Sequence, residues 1–339
     1  MHVHTRSLDP YTEHDVEASF RIQDAARRQD VPDFPLFSRT ENVGQLRHPW
    51  PGMIERHWLA ESDGEPTGLL TVGLPQLDNT HLADVHLTVH PEGRRRGAGR
   101  ALHAAAVEFA RAHDRRVLGG EYVTQLPGGP ERDAAHAAFA DAIGAKAALP
   151  EVRRRLDLDM IDRLAWADLS ADARAQAAGY SVVAWTDETP EEFVADVARL
   201  DSRLVLDAPM GDLDVEPEKI DAARIRANEQ MMRTRGRRPY HAGVRHDATG
   251  RLVAWTMINF DADVATHAWQ QITIVDPEHR GHRLGLLVKI ENLRHTLDHE
   301  PLVRHINTWN AAENIRMIAI NEALGFRPVD GWVSWQQEI

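Results

Sequence analysis

Four arginines and two glycines fall within seven consecutive positions, Arg94-Arg95-Arg96-Gly97-Ala98-Gly99-Arg100, and this is the run of the chain best suited to holding an anion. Gly97 and Gly99 let the backbone come close to a bound group, because no Cβ stands in the way. The run opens an apolar-periodic helix in which Leu102, Ala105, Ala106, Phe109 and Ala110 share a face. First-turn amides of such a helix point outward unpaired, and the helix dipole adds partial positive charge. The chemistry is therefore binding of a phosphate or pyrophosphate. A solvated helix start can carry the same residues, and a short Arg/Gly pattern alone does not separate the two.

The element in front of the run is an alternating strand over 85–89, leading through Pro91. The whole unit recurs 186 residues later as Ile272-Thr273-Ile274-Val275-Asp276-Pro277-Glu278-His279-Arg280-Gly281-His282-Arg283-Leu284-Gly285. At the same offset Thr80-His81 matches Thr266-His267, and Pro91-Glu92 matches Pro277-Glu278. The chain is an internal duplication.

Its 339 residues suit two domains of ordinary size. We expect domains over 1–160 and 180–339, joined by an alanine-rich connector over 161–179 with a helical pattern. The first half reads as a strand over 2–6, a helix over 15–29 and irregular proline-rich sequence over 31–51. Two strands, the strand–loop–helix unit, a strand over 117–124, a helix over 131–143 and a closing strand over 152–159 follow. The second half repeats this order, with a long polar helix over 216–234 and a hairpin over 326–337. Each half is expected to be an α+β (mixed α/β) domain, a central mixed sheet flanked by helices.

With no cysteine, the chain has no disulfide framework, thiolate nucleophile or Cys-bound zinc. The sequence after Met1 is polar, unlike a signal peptide, and no apolar run approaches the ~18–20 residues of a membrane span. A cytoplasmic protein is expected. A net charge of −13 argues against nucleic acid or an anionic membrane as partner.

The Arg94-x-x-Gly97-x-Gly99 loop after its V-x-P strand resembles the acyl-CoA pyrophosphate loop of the GNAT acetyltransferase superfamily, and the duplication resembles a tandem GNAT protein. The second half is similar to a group of bacterial acetyltransferases through Pro277–Leu286, Asn310-Ala311-Ala312-Glu313-Asn314 and Asn321-Glu322-Ala323-Leu324-Gly325-Phe326. The resemblance implies an acyl-CoA-dependent N-acyltransferase that moves acetyl, or another short acyl group, from acetyl-CoA (or another acyl-CoA) to a small-molecule amine. It also implies that the pantetheine arm lies along Leu87, Thr88 and Val89, or along Thr273, Ile274 and Val275. The pyrophosphate would then rest on Arg94, Arg95, Arg96, Gly97, Ala98, Gly99 and Arg100, or on Arg280, Gly281, His282, Arg283, Leu284 and Gly285. Asn310 and Asn314 would hydrogen-bond the arm or cap a helix. Arg283, standing where the first loop has Gly97, would crowd the phosphate or lend it a charge.

The usual base of the family, a glutamate early on the pre-loop strand, falls at Ala83 and Trp269. The usual acid, a tyrosine, falls at Ala140 and Asn321. Substitutes are His86 or Glu121 as base and Tyr122 as acid; each also suits a core or surface role. The matched His81 and His267 suit inherited packing. His279 and His282 lack a third ligand at metal-binding spacing, so no metal site is expected. The acidic stretch Asp207, Asp212, Asp214, Glu216 and Glu218 suits a cationic amine or a solvated loop. Loss of both usual catalytic residues leaves a second reading, an inactive acyl-CoA sensor with one structural domain. Acceptor, acyl-chain preference, the catalytic half and oligomeric state are open at the sequence level.

Overall fold

The computed structural model describes residues 3–339. His2, expected in the first strand, lies outside them. Two compact units emerge. The first contains residues 1–151, 210–216 and 330–339, and the second contains 152–209 and 217–329.

In chain order the first unit contributes β1 (Val3–Ser7), α1 (Glu13–Asp30), α2 (Arg39–Arg47), β2 (Met53–Ser62), β3 (Glu65–Pro75), β4 (Leu82–Val89), α3 (Ala98–Ala112), β5 (Val117–Thr124), α4 (Ala135–Ala142) and the start of β6 (Lys146–Asp157). The second contributes α5 (Arg163–Gln176), β7 (Tyr180–Thr186), α6 (Glu191–Asp201), α7 (Leu204–Asp207), α8 (Ala222–Thr234), β8 (Arg238–His246), β9 (Leu252–Phe260), β10 (His267–Val275), α9 (Leu284–His299), β11 (His305–Ala311) and α10 (Ile315–Leu324). The last strand, β12 (Arg327–Glu338), delivers its residues from 330 onward to the first unit.

Within the first unit the strand order is β1-β2-β3-β4-β5-β12. Alternation along β3 sorts its two faces: Leu69 packs with Val16, Ile22 and Leu46 of α1 and α2, whereas Leu70, Val72 and Leu74 pack with Leu102, Ala106 and Ala110 of α3. In the second unit the order is β6-β11-β10-β9-β8-β7. There α5 and α9 bury Trp166, Leu287 and Ile290 against one face, and α6 and α8 bury Phe193, Val197 and Ile225 against the other. Each unit is thus a mixed sheet flanked by helices.

Three local expectations change. The proline-rich stretch contains α2, because Ser38 accepts a hydrogen bond from the Glu41 amide at 3.0 Å and caps it. The polar helix begins at Ala222 rather than 216, where the Asp221 side chain accepts a hydrogen bond from the Arg224 amide and caps it. The expected terminal hairpin is one continuous strand, β12.

Candidate active site

The site is built on a fork. β4 and β5 pair in parallel only through Leu82↔Val117, Ala83↔Leu118 and Asp84↔Gly119. Beyond that point β4 stays on β3 as far as Val89↔Gly68, while β5 pairs along its length with β12. The strands part because each finds its hydrogen bonds on its outer side. A cavity of about 800 Å³ opens between them, within the range of ligand clefts. Its lining includes Arg27, Asp30, His86, Glu121, Phe139, Ile143 and Trp335.

Residues 94–100 close one end. Gly97 is the N-cap of α3 in the left-handed region, φ +97°, and has no side chain to cap it, so the first-turn amides have no side-chain acceptor there. Leu87, Thr88, Val89, Arg94, Arg95, Gly97, Ala98, Gly99 and Arg100 line the cavity, whereas Arg96 is exposed outside the lining. Arg94 is committed elsewhere: it makes a two-pronged pair with Asp30 at 2.8 and 2.6 Å and donates to the Val89 carbonyl at 3.2 Å. Burial pushes the Asp30 carboxyl up, but His136 and Arg94 outweigh it and hold it below the usual carboxylate range. Arg94 is therefore tied to Asp30 and Val89, while Arg95 and Arg100 line the cavity.

His86, Glu121 and Tyr122 all line the cavity. Ala83 and Ala140 leave methyl groups where the family usually has its base and acid, both buried. Glu121 lines the cleft with its side chain exposed to it, and the surrounding protein still pushes its carboxyl up by desolvation, partly offset by the charge of His86. Burial, followed by the charge of Asp141, raises the Tyr122 phenol. One further carboxylate was missed in the sequence: Glu151 on β6, pushed up to about 7 by burial and by Glu121. No motif marks it; it lies in the middle of β6. Because folding tightens its proton, its contribution to stability is present below its ordinary pKa of 4.5 and is lost as pH rises through about 7. Glu151→Gln is expected to raise stability at pH 8 by on the order of 1–2 kcal/mol and to change little at pH 4, read from urea unfolding at both pH values.

The second unit repeats the fork. β10 and β11 pair through His267↔His305, Ala268↔Ile306 and Trp269↔Asn307 and then part, with a register shift against β9 between Gln270 and Thr273. Thr273, Ile274 and Val275 follow this irregularity, as Leu87, Thr88 and Val89 follow the first fork. Arg283, like Gly97, is a left-handed N-cap (φ +54°) without a side-chain cap, and its guanidinium turns aside to Asp172 on α5. Arg280 repeats Arg94, donating to Val275 O at 3.4 Å and pairing with Asp207 at 3.2 Å. Gly281 and His282 are exposed, and Leu284 and Gly285 are buried in the first turn of α9.

Among the remaining sequence candidates, Asn314 caps α10 by accepting from the Met317 amide at 3.2 Å, and Asn310 accepts from Asn321 at 2.6 Å. His279 meets the Tyr180 hydroxyl at 3.0 Å. The matched histidines have diverged: His267 lies 2.7 Å from the Asn307 amide nitrogen, and His81 lies 3.2 Å from the Asp214 carbonyl. The acidic stretch is partly engaged internally, Asp207 with Arg203 and Arg280, and Glu218 with Arg224. No group of three or more metal-ligating side chains is assembled among the described residues. No helix among them is long and apolar enough to cross a membrane.

A forked parallel strand pair with an uncapped, glycine-bearing helix start at its open end defines a GNAT acyltransferase cleft. Residues 22–139 match the model of the acetyltransferase (GNAT) family. A solved tandem GNAT protein from the clavulanic acid biosynthesis pathway, without AcCoA, is 38% identical; the match covers 99% of this chain and 98% of that one, with a TM-score of 0.85. Two more distant structures share the fold. One is a GCN5-related N-acetyltransferase from Sphaerobacter thermophilus: 16% identity, TM-score 0.67, 99% of this chain and 95% of that one. The other is a glucosamine N-acetyltransferase region of a fungal multi-domain GH3 beta-N-acetylglucosaminidase: 14% identity, TM-score 0.70, 99% and 38%. No curated protein sequence matches the chain. The chain belongs to the tandem GNAT acetyltransferases. Its activity is acyl-CoA-dependent transfer of a short acyl group to an amine.

Proposed function

We propose that the donor is acetyl-CoA, that the acceptor is a small-molecule amine, and that the first unit's cleft holds the donor. The carrying observation is the cavity at the β4/β5 fork, whose lining brings Arg95 and residues 97–100 of the loop together with His86 and Glu121. In this reading the pantetheine arm adds to residues 87–89 as an extra strand. The loop 280–285 with residues 273–275 is its counterpart in the second unit. Asn310 and Asn314 would meet an arm there only through the groups their own hydrogen bonds leave over. The relative's place in clavulanic acid biosynthesis supports a small metabolite, rather than a protein, as acceptor. An acyl-CoA donor fits a cytoplasmic setting.

Acyl-CoA supplies an activated thioester. The amine must arrive neutral, attack the carbonyl and leave the sulfur to be protonated. His86 and Glu121, on the fork wall facing α1, take the ammonium's proton. The raised pKa of Glu121 makes its ionised carboxylate a stronger base than an ordinary one. Tyr122, on the next position of β5 and therefore the other face, donates to the departing thiolate. Direct attack needs no covalent enzyme intermediate, in keeping with the absence of cysteine.

Thiol release from acetyl-CoA across a panel of small amines tests this. Amine-dependent release is expected, with kcat lower by roughly 100-fold in Glu121→Gln and in His86→Ala and with CoA binding retained. Release that no amine accelerates would sink the proposal and favour a binding protein.

A further inference from the structure

We infer that Trp335, contributed to the first unit by the last strand of the chain, ends the acyl pocket and restricts the donor to the shortest acyl groups. The inference rests on the reading that acyl-CoA lies in the β4/β5 fork.

Val85 and Gly120 are the first residues beyond the last paired position, Asp84↔Gly119. On the far side of β5, Trp335 stands opposite Gly120 in the β12 ladder. Its indole does not stay over its own strand. A Cβ placed on Gly120 would lie 2.5 and 2.8 Å from two indole carbons and 2.9 Å from the Val85 carbonyl. The ring therefore lies across β5 against the root of the fork, and Gly120 is there because any side chain would occupy the same space. Its backbone needs no special conformation.

The ring is held firmly. Trp335 is 7% exposed and packs in one cluster with Ala83, Val85, Leu118 and Ala140. Its remaining surface lines the cavity beside Tyr122 and Ile143. A rise of roughly 13 Å along β4 separates Val89, at the anion loop, from Val85, at the root. An arm running along that strand from the loop points its thioester toward the indole. Carbons beyond the carbonyl meet an aromatic wall that close packing keeps from yielding. A single methylene in such a pocket changes binding by about 10- to 200-fold.

The test is isothermal titration of the whole protein with CoA, acetyl-CoA, butyryl-CoA and hexanoyl-CoA, read on the binding equivalent that Gly97→Glu removes. In the wild type, affinity relative to free CoA is expected to fall by at least about 10-fold from acetyl to hexanoyl. Trp335→Phe, Trp335→Leu and Trp335→Ala should restore hexanoyl-CoA progressively, in that order, while free CoA binds unchanged. The conservative phenylalanine keeps the series readable if the alanine variant unfolds. A wild type that binds hexanoyl-CoA as tightly as acetyl-CoA at this site overturns the inference, as does an unchanged chain-length ranking in any variant that still binds CoA. Absence of a binding equivalent sensitive to Gly97→Glu removes the cleft assignment itself, and the inference with it.

Discussion

Gly97→Glu is expected to remove one equivalent of acyl-CoA from the protein, weakening the first site by at least about 100-fold, or roughly 2.7 kcal/mol. Two effects act together. Gly97 sits at φ +97°, a conformation that side chains rarely adopt, so any replacement strains the entry to α3. The new carboxylate would also stand at the helix terminus, where uncapped amides would turn to it instead of to a pyrophosphate. Native mass spectrometry against acetyl-CoA counts the equivalents lost. Gly285→Glu is the matching variant for the second unit, where a Cβ would meet Ile320 at 3.3 Å. Binding unaffected by Gly97→Glu would rule out the first cleft as the donor site. Amine acetylation that survives Gly97→Glu and disappears with Gly285→Glu would assign the chemistry to the second unit, leaving His86 and Glu121 without a catalytic role.

Arg132→Met should destabilise the first unit by about 3–5 kcal/mol, a large share of ordinary domain stability. The Arg132 side chain is only 1% exposed and reaches two carboxylates: Asp33 at 2.6 Å and Asp330, itself fully buried, at 2.8 Å. Removing the guanidinium takes the cation from the fully buried Asp330 as well as from the part-exposed Asp33, and the loss of one partner of a buried pair costs more than the pair contributes. Asp330 opens the C-terminal segment that carries Trp332 and Trp335, and the Trp332 indole donates to its other oxygen at 3.0 Å. Phe34 stacks on Trp332 at 5.9 Å, so the segment after α1 is tied to the same point. Equilibrium urea unfolding measures the loss. A change below about 1 kcal/mol would mean that solvent or a neighbouring cation compensates the two aspartates. Arg132→Lys should recover only part of the stability, because an ammonium cannot reproduce the guanidinium fork.

Much of this was legible without coordinates. The duplicated strand–loop–helix identified the family, because strand alternation, glycine placement and helix periodicity are local properties that sequence spacing records directly. Ser38 and Glu41 also carried a readable capping signal within the proline-rich stretch. What local reading could not supply is the partners of the loop arginines. The nearest carboxylate to Arg94 is Asp30, brought beside it by the packing of α1. Arg283 meets Asp172 for the same reason, through a helix that reads as a connector.

The sequence by itself determined that there are two related α+β units, that each carries an arginine- and glycine-bearing loop between a strand and a helix, and, through the family resemblance, that the usual base and acid positions hold Ala83 and Ala140 in the first half and Trp269 and Asn321 in the second. Tertiary structure alone decided which strand completes which sheet. Residues 331–338 pair with β5, more than two hundred positions earlier in the chain, so the chain's last strand supplies Trp332 and Trp335 to the first unit's cavity. The physical reason is that an edge strand satisfies its backbone hydrogen bonds equally well with a near or a distant segment of matching pattern. The choice is made by side-chain fit, here an indole over Gly120 and Asp330 on Arg132, and neither contact leaves a mark in local sequence.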